Sequence, residues 1–136
     1  MSVPATDPAA LTRTVTVDRA RLVAYADASD DQNPIHQDAD VARSVGLPDV
    51  IAHGMWTMGA ALDVVTAYVG GDPARVLSCQ TRFTGMVVVP EGETVEVLVV
   101  GTVTKKDEEA GTETIAITAT CDGEKVLGRC QAVVRV

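Results

Sequence analysis

Residues 27–38, "DASDDQNPIHQD", carry Asp27, Asp30, Asp31 and Asp38 around an Asn33-Pro34 turn, with His36 beside it and no Lys or Arg among them. The chain has one other histidine, His53, in "IAHGM" at the start of a long apolar segment. Carboxylates and an imidazole at this spacing can share acid–base work on one water or substrate proton. They can also ligate a metal ion, or simply form a solvated acidic loop whose Asp residues cap neighbouring helices. The metal reading is poorly served by the spacing: a calcium loop needs a Gly and a distal Glu, and a zinc helix motif needs paired histidines. His53 bears on the remaining choice. A buried helix start leaves backbone N–H groups without intrahelical partners, and Gly54 lets a ligand approach them closely. An acid, an imidazole and such a helix start are what chemistry next to a carbonyl requires, provided the fold brings the two segments together.

The elements around these residues follow from periodicity. "TRTVTV" alternates and is β-branched, which predicts a short first strand. Asp18 reads as the N-cap of a helix over "RARLVAYADA", with Leu22, Val23 and Ala26 on one face. After the Asp-rich loop a short helix is expected over about residues 38–45, with Asp38 and Asp40 as cap and first-turn acids and Gly46 and Pro48 as stop signals. "HGMWTMGAALDVVTAYVGG" predicts a long buried helix with Met55, Met58, Leu62, Val65 and Val69 as one stripe and Gly70-Gly71 as its end. The period then switches to two. "VLSCQTRFTGMVVV", "TVEVLVVGTVTKK", "TETIAITATC" and "KVLGRCQAVVRV" read as four strands, and their short Gly- and acid-rich turns suggest an antiparallel meander. The expectation is a single α+β domain over residues 1–136, its sheet wrapping the helix, with residues 1–12 frayed.

Bulk properties narrow the function classes. The chain has 136 residues, a net charge of −8 and aromatics at 3%, so a basic or aromatic platform for nucleic acid is absent and an anionic membrane surface is an unfavourable partner. No leader-like start and no membrane-length apolar run is read in it. Cys79, Cys121 and Cys130 are far apart and odd in number, which reads as reduced thiols in a cytoplasmic protein.

Taken together, "YADASDDQNPIHQDADVARSVGLPDVIAHGM" resembles the hydratase motif of MaoC-like, (R)-specific enoyl-thioester hydratases and dehydratases, and the likeness extends through "VLSCQTRFTGMVVVP" to "KVLGRCQAVV". The resemblance implies a hotdog fold, in which an antiparallel sheet wraps a long central helix. It implies hydration of 2-enoyl thioesters, or the reverse dehydration of (R)-3-hydroxyacyl thioesters, on coenzyme A or acyl-carrier protein, with no cofactor and no metal. By the same resemblance Asp31 and His36 form the catalytic pair and Gly54 offers its backbone N–H to the thioester carbonyl. Asn33 orients the loop, and His53 stands at the helix start with a lesser claim to touch substrate. A dimer is implied, either of two copies or with a second hotdog subunit.

Where the family commonly has Gly before the catalytic Asp, this chain has Asp30. Asp tolerates a positive φ better than most residues, but it sets a second carboxylate beside Asp31. Arg75, Arg82, Lys105, Lys106 and Arg129 are the basic residues of the second half that could meet phosphates, though each also reads as a surface charge. Two rivals remain: a hotdog thioesterase using Asp63 on the long helix, and a non-catalytic partner subunit of a heterodimeric dehydratase.

Overall fold

A computed structural model describes residues 6–136. In chain order the elements are β1 (Thr12–Val17), α1 (Arg19–Ser29), α2 (Ala39–Ser44), α3 (Gly54–Tyr68), β2 (Val76–Phe83), β3 (Val95–Asp107), β4 (Thr112–Cys121), β5 (Glu124–Lys125) and β6 (Leu127–Arg135). Short polar side chains start the helices where expected. Asp18 accepts from the Arg21 N–H at 2.8 Å, and Asp38 accepts from Asp40 and Val41 at 2.9 and 3.3 Å. Gly46 takes a φ of +91° just beyond α2.

The sheet is antiparallel in the order β1-β3-β4-β6-β2, with β5 as a short hairpin partner of β4. The helix α3 packs against β1, β2, β3, β4 and β6. This is the wrapped-helix, hotdog arrangement. Its core is aliphatic: Leu22, Val64, Val65, Val97, Val99 and Ile115 are each at most 1% exposed. Burying each such side chain contributes about 1.5–3 kcal/mol.

A simple meander describes only β3, β4 and β6; β2 sits beyond β6 at the far edge instead of beside β3. The long run 76–89 is therefore not one strand. After Phe83 the N–H groups of Thr84 and Gly85 both point at the Val126 carbonyl, each at 3.3 Å. A Cβ on Gly85 would lie 2.6 Å from the Lys125 carbonyl oxygen, so a side chain there would force the backbones apart. Beyond this crossing Val87 and Val89 pair with the segment that leads into α3: the Ala52 N–H reaches the Val87 carbonyl at 2.9 Å and the Val89 N–H the Val50 carbonyl at 2.8 Å.

Two helical faces also differ from expectation. In α1, Leu22 and Ala26 are buried while Val23 is 44% exposed. In α3 the buried face is Thr57, Ala61, Val64, Val65 and Tyr68. Met55 is 57% exposed, and Met58 and Leu62 are half-buried. The helix is apolar on nearly every side, so periodicity alone does not select the face that meets the sheet.

Of the lead expected to fray, residues 1–5 lie outside those described. Pro8–Leu11 form a 3-10 turn capped by Asp7, whose N–H donates to the Tyr68 carbonyl at 2.8 Å. Leu11 is buried, and this anchors the turn against α3. All three cysteines are free, Cys121 and Cys130 buried and Cys79 half-buried. No helix among the described residues is long and apolar enough to cross a membrane.

Candidate active site

The loop after α1 is shaped by its own short side chains. Asp30 ends α1 in the left-handed region, at φ 61° and ψ 19°, which is where a Gly is favoured and an Asp is tolerated. The Asn33 N–H then donates to Asp31 Oδ1 at 3.2 Å, and the Ile35 N–H to Asn33 Oδ1 at 3.2 Å. These two Asx-type turns drive the chain into the 3-10 turn Pro34–His36. Asp27 accepts from Gln32 at 2.9 Å, and Asp38 caps α2. Asp27 and Asp38 are thus used locally, and so is one oxygen of the exposed Asp31.

The second arm is the segment Val50, Ile51, Ala52. It is pinned on one side to Val87 and Val89 and on the other to the loop, through the Ile51 N–H and the Ile35 carbonyl at 3.3 Å. The Arg19 guanidinium supports it, donating to the Val89 carbonyl at 2.6 Å and to the half-buried Asp49 carboxylate at 2.9 Å. This segment delivers His53 to the start of α3, directly against the loop.

His36 is 7% exposed, and its Nδ1 lies 2.7 Å from the Ile51 carbonyl oxygen. A carbonyl only accepts, so Nδ1 carries the proton and Nε2 holds the free lone pair. His53 is 2% exposed, with Nε2 3.1 Å from the Asp31 main-chain carbonyl. The two imidazoles stack at a centroid distance of 3.8 Å and 24° between planes, and Tyr25 meets His53 at 4.7 Å and 59°. Burial lowers the His53 pKa from its ordinary 6.5; the nearby His36 adds to this, while the bond to the Asp31 carbonyl and the Asp31 charge oppose it.

One donor atom each from Asp31, His36 and His53 lies within 4.8 Å of the others. One nitrogen of each ring already serves a carbonyl, which leaves one ring nitrogen per imidazole.

A cavity of about 300 Å³ opens beside the pair, lined by His36, Ile51, Gly54, Thr57, Phe83 and Val126 among others. Gly54 is the first residue of α3, and among the described residues nothing accepts from its N–H. The Phe83 ring lies over it: a Cβ built on Gly54 would sit 3.0 Å from two ring carbons. The fold therefore brings Asp31, Asn33, His36, His53 and Gly54 together. His36 and Gly54 line the cavity, and Asp31 lies beside His36.

Phe83 and Thr57 are wall residues that no motif announced. Phe83 stood inside an apparent strand run, and Thr57 on a face of α3 expected to point elsewhere. Asp63 is nine residues along α3, roughly 13 Å from its start. It pairs with Arg13 in a separate groove. Of the basic residues singled out, Arg75 serves the Arg135 and Val69 carbonyls and Lys106 pairs with Glu113, while Arg82, Lys105 and Arg129 are exposed.

A model of the MaoC like domain matches residues 2–120. A probable enoyl-CoA hydratase 2 of Dictyostelium discoideum is 38% identical over 77 residues, 56% of this chain and 26% of that protein. A solved structure of a MaoC-like dehydratase superposes with a TM-score of 0.88 at 34% identity, over 98% of this chain and 40% of that one. An (R)-hydratase from A. caviae involved in PHA biosynthesis gives 0.79 at 22% identity over 99% and 98% of the two chains, which speaks to the fold alone. The chain thus spans about a quarter of that curated hydratase, and 3% of a fatty acid synthase beta subunit from Cochliobolus carbonum that it also matches.

Proposed function

The chain belongs to the MaoC-like domain family, and from that premise we propose that it adds water to the double bond of 2-enoyl thioesters, and runs the reverse dehydration of (R)-3-hydroxyacyl thioesters. The observation that carries the reading is the approach of His36 to the exposed Asp31 carboxylate, beside a Gly54 N–H that has no acceptor among the described residues.

A single water spans donor atoms up to 4.8 Å apart with two ordinary hydrogen bonds. His36 Nε2 accepts a proton from that water while the Asp31 carboxylate accepts a hydrogen bond from the retained O–H and aims the oxygen at C3. As the O–C3 bond forms, the C2=C3 electrons move toward C1 and charge builds on the thioester oxygen. The Gly54 N–H and the positive end of α3 receive that charge. The proton held by His36 then passes to C2, the thioester carbonyl re-forms, and the pair returns to its starting state. Asn33 contributes by fixing the turn between the two residues.

The substrate carrier is coenzyme A or an acyl-carrier protein. A second hotdog chain covers the free edge of β2 and the exposed Leu77, Phe83 and Met86 beside it; a second copy of this chain is the occupant we favour. The free cysteines support a reducing, cytoplasmic setting. A thioesterase based on Asp63 is not supported, because that carboxylate is paired with Arg13 away from Gly54. A purely non-catalytic partner would have no use for the Asp31/His36 pair.

Product analysis tests the reading. Incubation with a 2-enoyl-CoA should yield the 3-hydroxyacyl thioester with no free thiol. Free thiol would indicate hydrolysis, and unchanged substrate that turns over only when another hotdog subunit is added would indicate a partner role.

A further inference from the structure

His53 is the most enclosed polar side chain near the site, yet it does not line the cavity. Its Nε2 faces the Asp31 carbonyl, which can only accept, so Nε2 bears the proton. Its other nitrogen, Nδ1, is buried with no hydrogen-bond partner among the described residues. A neutral imidazole with Nε2–H leaves Nδ1 as a bare lone pair, the less costly way to strand that atom. Protonating Nδ1 would create a buried N–H with no acceptor and place a cation against the face of His36. The titratable groups that face His53 are Tyr25 from α1 and Asp31 and His36 from the loop. Among these the exposed Asp31 is the carboxylate that opposes the loss of its charge.

We propose that His53 is a positioning residue that works only as the neutral Nε2–H tautomer: it holds Asp31 through the main chain and His36 through ring stacking, and a proton on Nδ1 loosens both. The role rests on the hydratase reading for its kinetic consequence, but the tautomer itself is a property of the folded chain. His53 touches no substrate, so its effect falls on kcat and not on KM. Displacing reacting groups by about 1 Å commonly costs on the order of 10²-fold in rate.

The chain has two histidines, so long-range nitrogen–proton NMR resolves both rings, with His36→Gln assigning them. The expected spectrum shows His53 as Nε2–H at neutral pH and taking its second proton only below 6.5. In kinetics, His53→Phe should keep the ring and lose the donor, lowering kcat about 10²-fold with KM little changed. His53→Gln keeps a donor at nearly the same reach and should recover part of that loss. An Nδ1–H tautomer, titration at or above 6.5, or wild-type kcat in a folded His53→Phe variant would each overturn the proposal. If wild type hydrates no enoyl thioester, the hydratase reading fails, and the NMR result still decides the tautomer.

Discussion

The two ends of α3 hold polar clusters of opposite character. At its C-terminal end the Tyr68 hydroxyl donates to the buried Glu113 carboxylate, whose other oxygen lies 3.7 Å from Lys106 Nζ. The Tyr68 carbonyl in turn receives the Asp7 N–H. Every group there has a partner. At the N-terminal end, among the described residues, His53 Nδ1 has no partner and the Gly54 N–H no acceptor, and His36 lines a cavity. Buried polar groups are normally satisfied, so a satisfied cluster reads as a fastening and an open one as a site waiting for a ligand. Size alone does not make that distinction. A larger hollow, about 700 Å³, lies against Glu93, Glu96 and Asp122, away from both clusters.

If the contrast is right, substitutions at the two ends should separate activity from stability. The largest effect is expected at the open end. Asp31→Asn and His36→Gln should each lower hydration by about 10²- to 10⁴-fold. Asp31→Asn should leave the melting temperature nearly unchanged, because its side chain is exposed and Asn can still accept from Asn33. Next, Gly54→Ala should lower the rate by up to ~10²-fold, since its methyl presses on Phe83 and crowds the N–H proposed to receive the oxyanion. Combining it with Phe83→Ala should restore room without restoring the full rate, a difference that steady-state kinetics on both variants would read.

At the fastened end the expected effect is on folding alone. Tyr68→Phe leaves one oxygen of the buried Glu113 carboxylate without its donor and should cost about 1–3 kcal/mol in urea unfolding, with kcat unchanged. A loss of kcat there with unchanged stability would dissolve the distinction between the two ends.

The smallest effects are on the pH dependence of stability. His53 has its folded pKa depressed, so in acid the unfolded chain binds the extra proton and stability falls as pH drops below 6.5. Tyr68 is raised to about 12 from 10.0, mainly by burial and then by the Glu113 contact. The unfolded chain therefore loses its proton first, and stability declines between pH 10 and 12. His53→Phe should flatten the acid limb and Tyr68→Phe the alkaline one.

Much of this arrangement was legible in local residue types. The caps at Asp18 and Asp38, the α3 segment and the alternating strands all follow from short-range rules, and Asp30 at positive φ is a choice those rules permit. What stayed hidden depends on the third dimension. The placement of β2 beside β6 turns on the crossing at Gly85, which no periodicity encodes. Periodicity points Met55 inward, yet it is 57% exposed, because an all-round apolar helix offers several equivalent stripes. The stacking of His36 on His53 joins residues 17 apart and required the Val50–Ala52 segment to be pinned between strand and loop. Nor did any pattern announce the Tyr68–Glu113 pair, since each residue looked ordinary in its own element.

The mechanism proposed for this site has Asp31 and His36 working on one water beside the Gly54 N–H. Its most direct test follows the loss of conjugated enoyl-thioester absorbance with a short 2-enoyl-CoA, comparing wild type with Asp31→Asn and His36→Gln at matched folded concentration. Rapid loss in wild type and collapse in both variants is the predicted result. Equal rates in all three would contradict it.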